Sequence, residues 1–324
     1  MNGLKKILYL GLVGALCLSM VGCSNGNAFK VGETEVSKDE VEKVKSILVA
    51  TAGYTNRDYL AEFNKSEDDK EAQEEINNQV VSYMIDNEVV YEQAEKDKIK
   101  VTDDEVNQKY DQIKGVLDLN TNYKKLLDDA NVDEDYLKET IKKDLMVQKY
   151  REKFEENIKV TDEEIQKYYD ANKKDFEEES VEAYHILVTT VDENGKTVDD
   201  SKNEELKSKA DSILEKVKSG EDFEKLAKEN SDDQSTGKKG GYLGYFTRED
   251  KNAEFTNEVF KLNKGDISDV FETPFGYEIV KVTDKKTEQK SLDDVKDQIV
   301  SKILADKYLE HIATLRDKAE VERY

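Results

Sequence analysis

Residues 182–188 read Glu182-Ala183-Tyr184-His185-Ile186-Leu187-Val188, and residues 240–246 read Gly240-Gly241-Tyr242-Leu243-Gly244-Tyr245-Phe246. The first is a short β-favouring run with a histidine inside it. The second sets glycines among aromatic residues, a composition that tight turns need and helices avoid. The contrast extends outward from these two stretches. Glu182–Asp284 holds eight of the sixteen glycines, Val31–Val181 holds three (Gly32, Gly53 and Gly115), and none follows Lys285. A small mixed domain is therefore expected between helix-rich flanks.

Inside that domain, a turn is expected at Glu193-Asn194-Gly195. Leu206, Ala210, Ile213, Leu214 and Val217 share one face of a helix from Lys202 to Lys218, which Ser219-Gly220 ends. Asp222 to Glu229 forms a second helix with Phe223, Leu226 and Ala227 inward, and Ser231 to Ser235 is a polar loop. After Phe246 come a helix through Phe255, Val259, Phe260 and Leu262, a turn at Asn263-Lys264-Gly265, and strands at Ile267–Phe271 and Tyr277–Val282. The order strand, helices, strand, helix, strand, strand predicts an α+β domain built on a four-stranded antiparallel sheet covered by helices.

The flanks repeat one start signal. Ser37, Thr102 and Thr161 are each followed three residues later by Glu, with apolar residues at the two staple positions, so three helices begin there. Ser291-Leu292-Asp293-Asp294 is a weaker fourth start, leading into Val295, Ile299 and Ile303. Leu137, Ile141 and Leu145, and separately Ile76, Val80, Met84 and Val89, mark two more long amphipathic helices. The expected layout is a mostly α-helical lobe from residues 31–180 and 285–324, with the mixed domain, 181–284, inserted in it.

Residues 1–22 carry Lys5 and Lys6 followed by an apolar run to Val21, which is a secretory leader rather than a spanning helix. Met20-Val21-Gly22-Cys23 resembles a bacterial lipobox, with Met20 where leucine is usual, and implies acylation of Cys23. Acyl chains there would anchor the protein to the membrane. Residues 23–30 are expected to be the lipidated cysteine and a short tether. The net charge of -24, from 74 acidic and 50 basic residues among 324, opposes nucleic-acid binding. Two histidines and two cysteines leave little for a zinc site or for a nucleophile with a histidine base.

His185-Ile186-Leu187-Val188, Phe223-x-x-Leu226-Ala227 before Ser231-Asp232, Gly240-Gly241-x-Leu243-Gly244-x-Phe246, and Phe275-Gly276-Tyr277 before Ile279-Val280-Lys281-Val282 together resemble a parvulin-type peptidyl-prolyl isomerase domain. The whole layout is similar to that of extracytoplasmic foldase lipoproteins and, more distantly, periplasmic chaperones. The resemblance implies catalytic roles for His185 and Asp233, and it places Glu278 where the family has a second histidine. It further implies a proline pocket of Leu243, Phe246 and Phe255, with Thr273 orienting the histidine and Tyr277 joining the substrate-binding set. Lys251 stands where the family often has an apolar pocket residue. Glu278 is expected to hydrogen-bond His185 and, with Asp233, to favour the imidazolium.

The implied activity is prolyl cis–trans isomerisation that assists folding of exported proteins, without cofactor or metal. The implied partners are unfolded or partly folded exported chains with X–Pro bonds, the membrane through Cys23, and a second copy through the helical lobe. The competing reading is a non-catalytic holdase whose parvulin domain only binds peptide, because Glu278 replaces the second histidine.

Overall fold

Asn27–Val31 (β1) and Thr34–Ser37 (β2) pair as an antiparallel hairpin in the computed structural model, which describes residues 26–55, 70–119, 121–191 and 196–324. The leader, Cys23 and the Glu193-Asn194-Gly195 turn lie outside the described residues. The chain divides into two compact units, Met1–Thr161 with Val300–Tyr324, and Asp162–Ile299. In the first, the hairpin runs into Lys38–Thr55 (α1), where the Glu40 N–H donates to Ser37 Oγ at 3.2 Å. Lys70–Lys96 (α2), Asp103–Leu117 (α3), Thr121–Asp129 (α4) and Glu134–Glu156 (α5) follow. Thr102 and Glu105 form a reciprocal box at the start of α3: the Glu105 N–H donates to Thr102 Oγ1 at 3.3 Å, and the Thr102 N–H donates to Glu105 Oε2 at 2.8 Å. Such boxes satisfy backbone donors that a helix start leaves unpaired. Phe29, Ile47, Met84 and Ile85 are fully buried at the centre of this unit.

The second unit opens with Asp162–Ala171 (α6) and continues through Glu177–Thr189 (β3), Asp200–Lys218 (α7), Phe223–Asn230 (α8), Tyr242–Phe246 (β4), Ala253–Val259 (α9), Phe271–Thr273 (β5) and Gly276–Gln289 (β6). Its sheet is antiparallel, in the order β4-β3-β6-β5. Alternation along the strands splits the core. Ile186, Val188, Tyr277 and Ile279 pack with Leu226 of α8 and Ile213 of α7, whereas Val181, Ala183, Val280 and Val282 pack with Phe246, Phe255 and Val259. Ile267–Phe271 is not the expected strand. Ile267 makes one bridge to Lys281, and although the Ser268 N–H donates to Val280 O at 2.8 Å, the Val280 N–H goes to Ser268 Oγ at 2.9 Å, so a side chain takes one rung of the ladder and the strand begins at Phe271. The unit is also longer than residues 181–284. The β3–β6 register runs back to Glu177 opposite Gln289, and the Tyr169 hydroxyl donates to Lys290 O at 2.6 Å, which ties residues 162–180 and 285–299 to the sheet.

Leu292–Lys318 (α10) starts at Ser291, where the Ser291 N–H donates to Asp294 Oδ2 at 3.1 Å and Ser291 Oγ accepts the Asp294 N–H at 3.3 Å. The fourth start is thus a full box with the shorter acid. From Val300 onward the chain belongs to the first unit. There His311 Nε2 lies 2.7 Å from the Tyr150 hydroxyl and its ring stacks on Phe154 with centroids 4.6 Å apart. Val321–Arg323 (β7) then pairs with the free edge of β1, Phe29 opposite Arg323 and Val31 opposite Val321. Residues 27–30 are therefore strand rather than tether: with partners on both edges and Phe29 and Val31 fully buried, the segment is held in the core.

Candidate active site

His185 lies on β3, and its backbone N–H donates to Gly241 O at 2.9 Å. That approach requires glycine: Gly241 has φ +84°, and a Cβ there would fall 2.1 Å from His185 O. The 231–236 loop is fixed to the same strand. The Asp232 N–H donates to Leu187 O at 2.7 Å, and the Leu187 N–H donates to Ser231 Oγ at 3.1 Å. Glu278 on β6 pairs with Leu187, two residues beyond His185, so both side chains emerge on one face. Three separate elements thereby meet at one imidazole.

The ring is clamped from both sides. His185 Nδ1 is 2.9 Å from Glu278 Oε2, while Nε2 is 2.9 Å from Asp233 Oδ2 and 2.8 Å from Thr236 Oγ1. Thr236 Oγ1 donates to Asp233 Oδ2, so toward the ring it acts as acceptor. With a carboxylate at each nitrogen, the imidazolium, in which both nitrogens donate, is the ring form that serves both ionised partners. Burial alone would lower the His185 pKa, but the hydrogen bond and charge of Glu278, followed by those of Asp233, raise it above the ordinary histidine value. Burial pushes Glu278 up, and His185 opposes that. Burial also pushes on Asp233, yet hydrogen bonds from the Thr236 and Ser235 hydroxyls and the Ser235 N–H hold its carboxyl well below the usual range.

Beside this cluster lies an aromatic floor. Phe255 stands edge-on to the His185 ring at 6.2 Å and touches Phe246 and Phe271, each with centroids 5.9 Å away. Phe246 and Phe255 are buried, and Leu243 packs against them half-buried. Two residues of the expected set do other work. Tyr277 packs on the opposite face of the sheet with Ile186 and Ile279, because its register turns it away from its neighbour Glu278. Thr273 donates to Gly276 O at 3.2 Å and accepts the Phe275 N–H at 3.3 Å, so its hydroxyl serves its own turn rather than His185. Thr236 and Phe271 belong to the site and were not expected there. Thr236 lies three residues beyond Asp233, and Phe271 ends a run that the sequence marked only as strand.

Sheet, helices and pocket together define a parvulin-type peptidyl-prolyl cis–trans isomerase domain attached to a helical lobe. The family described as PPIC-type PPIASE domain matches residues 164–286, and the SurA-like N-terminal domain matches residues 2–151. Foldase protein PrsA of Geobacillus kaustophilus is 33% identical, covering 79% of this chain and 78% of that protein. The corresponding foldase of Caldanaerobacter subterraneus is 30% identical over 94% of this chain and 89% of its own length, and that of Clostridium botulinum is 26% identical over 100% and 98%. The chain belongs to the PrsA foldase family.

Proposed function

We propose that this chain isomerises X–Pro bonds in unfolded exported proteins, anchored to the outer side of the membrane through lipid on Cys23. Rotation about the bond meets a barrier of roughly 18–20 kcal/mol because twisting removes amide resonance. No bond is made or broken, so the site need only bind the twisted amide better than either planar isomer. Leu243, Phe246, Phe255 and Phe271 offer the prolyl ring a dry floor. Asp233, the more exposed of the two carboxylates on His185, is the group able to face the peptide carbonyl. A planar amide carries more negative charge on its oxygen than a twisted one, so a fixed carboxylate there disfavours the planar form. His185 is the positioning residue, joining Asp233, Thr236 and Glu278.

The observation that carries this reading is the clamped His185 set edge-on against the aromatic floor. The test is the isomerisation rate of a proline tetrapeptide with the purified protein. His185→Ala is expected to lower kcat/KM at least tenfold, about 1.4 kcal/mol of transition-state stabilisation. Equal, background rates for wild type and His185→Ala would end the catalytic claim. The buried Glu278 carboxylate favours the holdase reading instead, and a rate that emerges only in Glu278→His would assign the natural domain to peptide binding.

A further inference from the structure

Lys251 stands at the lip of the aromatic floor, with its Nζ over the Phe246 ring at 5.9 Å from the centroid. Its backbone is held by a defined turn. The Thr247 N–H and hydroxyl donate to Asp250 Oδ2 at 2.7 and 2.9 Å, and Asn252 Oδ1 caps α9 by accepting the Phe255 N–H at 2.8 Å. The side chain is exposed, while the ring beneath it is 3% exposed. Among the described residues no carboxylate lies within ion-pair distance of Lys251. The nearby acids are occupied: Glu278 and Asp233 flank the imidazolium, and Asp250 is turned back onto Thr247. The Lys251 charge lowers Asp250 and Glu278 from beyond ion-pair distance, and with no ion-pair partner among the described residues its ammonium remains available to whatever enters the pocket.

We propose that Lys251 is a specificity-determining residue of this pocket, favouring peptides that carry an acidic residue next to the proline. A prolyl ring seated on Phe246, Phe255 and Phe271 brings its flanking residues to the lip, where the ammonium attracts a carboxylate and repels a second ammonium. The cation also covers an aromatic face, an arrangement that keeps its position while leaving its outer side free to a ligand. This inference rests on the isomerase reading of the same pocket for its substrate pose, and its charge preference is measurable apart from turnover.

The experiment uses the full chain with two tetrapeptide series, placing Glu, Ala or Lys before the proline or after it, and reads affinity by titration and turnover separately. In at least one series the Glu peptide is expected to bind about threefold or more tightly than the Lys peptide at low salt, the size of an exposed charge pair. The ratio should shrink in high salt, fall to one in Lys251→Met, and invert in Lys251→Glu. A ratio left unchanged by Lys251→Met, or a wild-type preference for the Lys peptide in both series, would overturn the assignment. Charge-selective binding without turnover would sink the isomerase reading alone, and turnover without selectivity would sink the role of Lys251 alone.

Discussion

Replacing Glu278 by Gln keeps the shape of the clamp and deletes one of its two charges. Gln can still accept from His185 Nδ1, but the imidazolium then faces a single carboxylate, Asp233 at 2.9 Å. An opposite charge at such a distance generally moves a pKa by about one to three units, and each unit corresponds to about 1.36 kcal/mol, so the loss is large enough to read in a titration. His185 is 6% exposed, so the interaction is little screened by water. The chain has two histidines, which makes the assay simple: NMR titration of the two imidazole Cε1–H signals. Wild-type His185 should titrate above the ordinary value and His311 below it, the latter because of burial and then Lys318. In Glu278→Gln the His185 midpoint should drop, because the first of the two groups that raise it loses its charge, while His311 stays in place. Stability follows with a definite sign. The folded pKa of His185 is raised, so its contribution is fully present below the unfolded value of about 6.5 and fades as pH rises through the folded value. Urea unfolding of wild type should therefore weaken with rising pH across that window, and the Gln variant should lose most of this slope. A wild-type His185 that titrates at or below His311, or one that Glu278→Gln leaves unmoved, would refute the clamp.

Gly241→Ala tests the close approach of β4 to His185. Its Cβ would meet His185 O at 2.1 Å from a backbone at φ +84°, so the strand must shift. A loss of about 3 kcal/mol or more in urea unfolding is expected, together with loss of the raised His185 midpoint; a loss under about 1 kcal/mol would show that the strand moves freely. Cys23→Ser tests the anchor. The variant should move from the membrane fraction to the soluble exported fraction, and membrane retention of the full-length variant would remove Cys23 from the proposal.

Features set by neighbours in sequence were legible from it. Thr102 with Glu105 and Ser291 with Asp294 each lie within one helical turn, so the residues that start the helix are the residues that bond. His185, Leu243, Phe246 and Phe255 were legible through motif, and the structure brings them to one face of one sheet. Tyr277 was misplaced although alternation held the answer: a strand that points Glu278 at His185 must point Tyr277 the other way, with Ile279. The β1–β7 pairing had no such signal. Phe29 and Arg323 stand near opposite ends of the chain, and backbone pairing at that separation leaves no periodic mark on either segment. Thr236 was hidden for a related reason, since a loop hydroxyl acquires a role only when the loop's backbone bonds to β3 set its direction.

A reaction without bond making does not explain why ionised groups should be drawn out of water beside the floor, since apolar surface alone would seat a prolyl ring. Their placement answers this. His185 belongs to β3, Glu278 to the paired strand β6 and Asp233 with Thr236 to the loop after α8, so the hydrogen bonds among them join that loop to the two central strands of the sheet. Removing ions from water is costly, and the cost is offset only where each lone pair and proton has a partner in good geometry. Here Asp233 takes four donors, from His185, Thr236 and both the N–H and hydroxyl of Ser235, so the loop cannot drift without stranding a charge. The cluster is thus a lock on the position of Asp233 relative to Phe255, and selectivity for a twisted over a planar amide depends on that position being held. A neutral histidine would surrender one of the two bonds, leaving either the Glu278 carboxylate or the Asp233 loop without its hold on the ring. The raised His185 pKa and the rigidity of the pocket are consequently one property of the fold, measured by titration in one case and by turnover in the other.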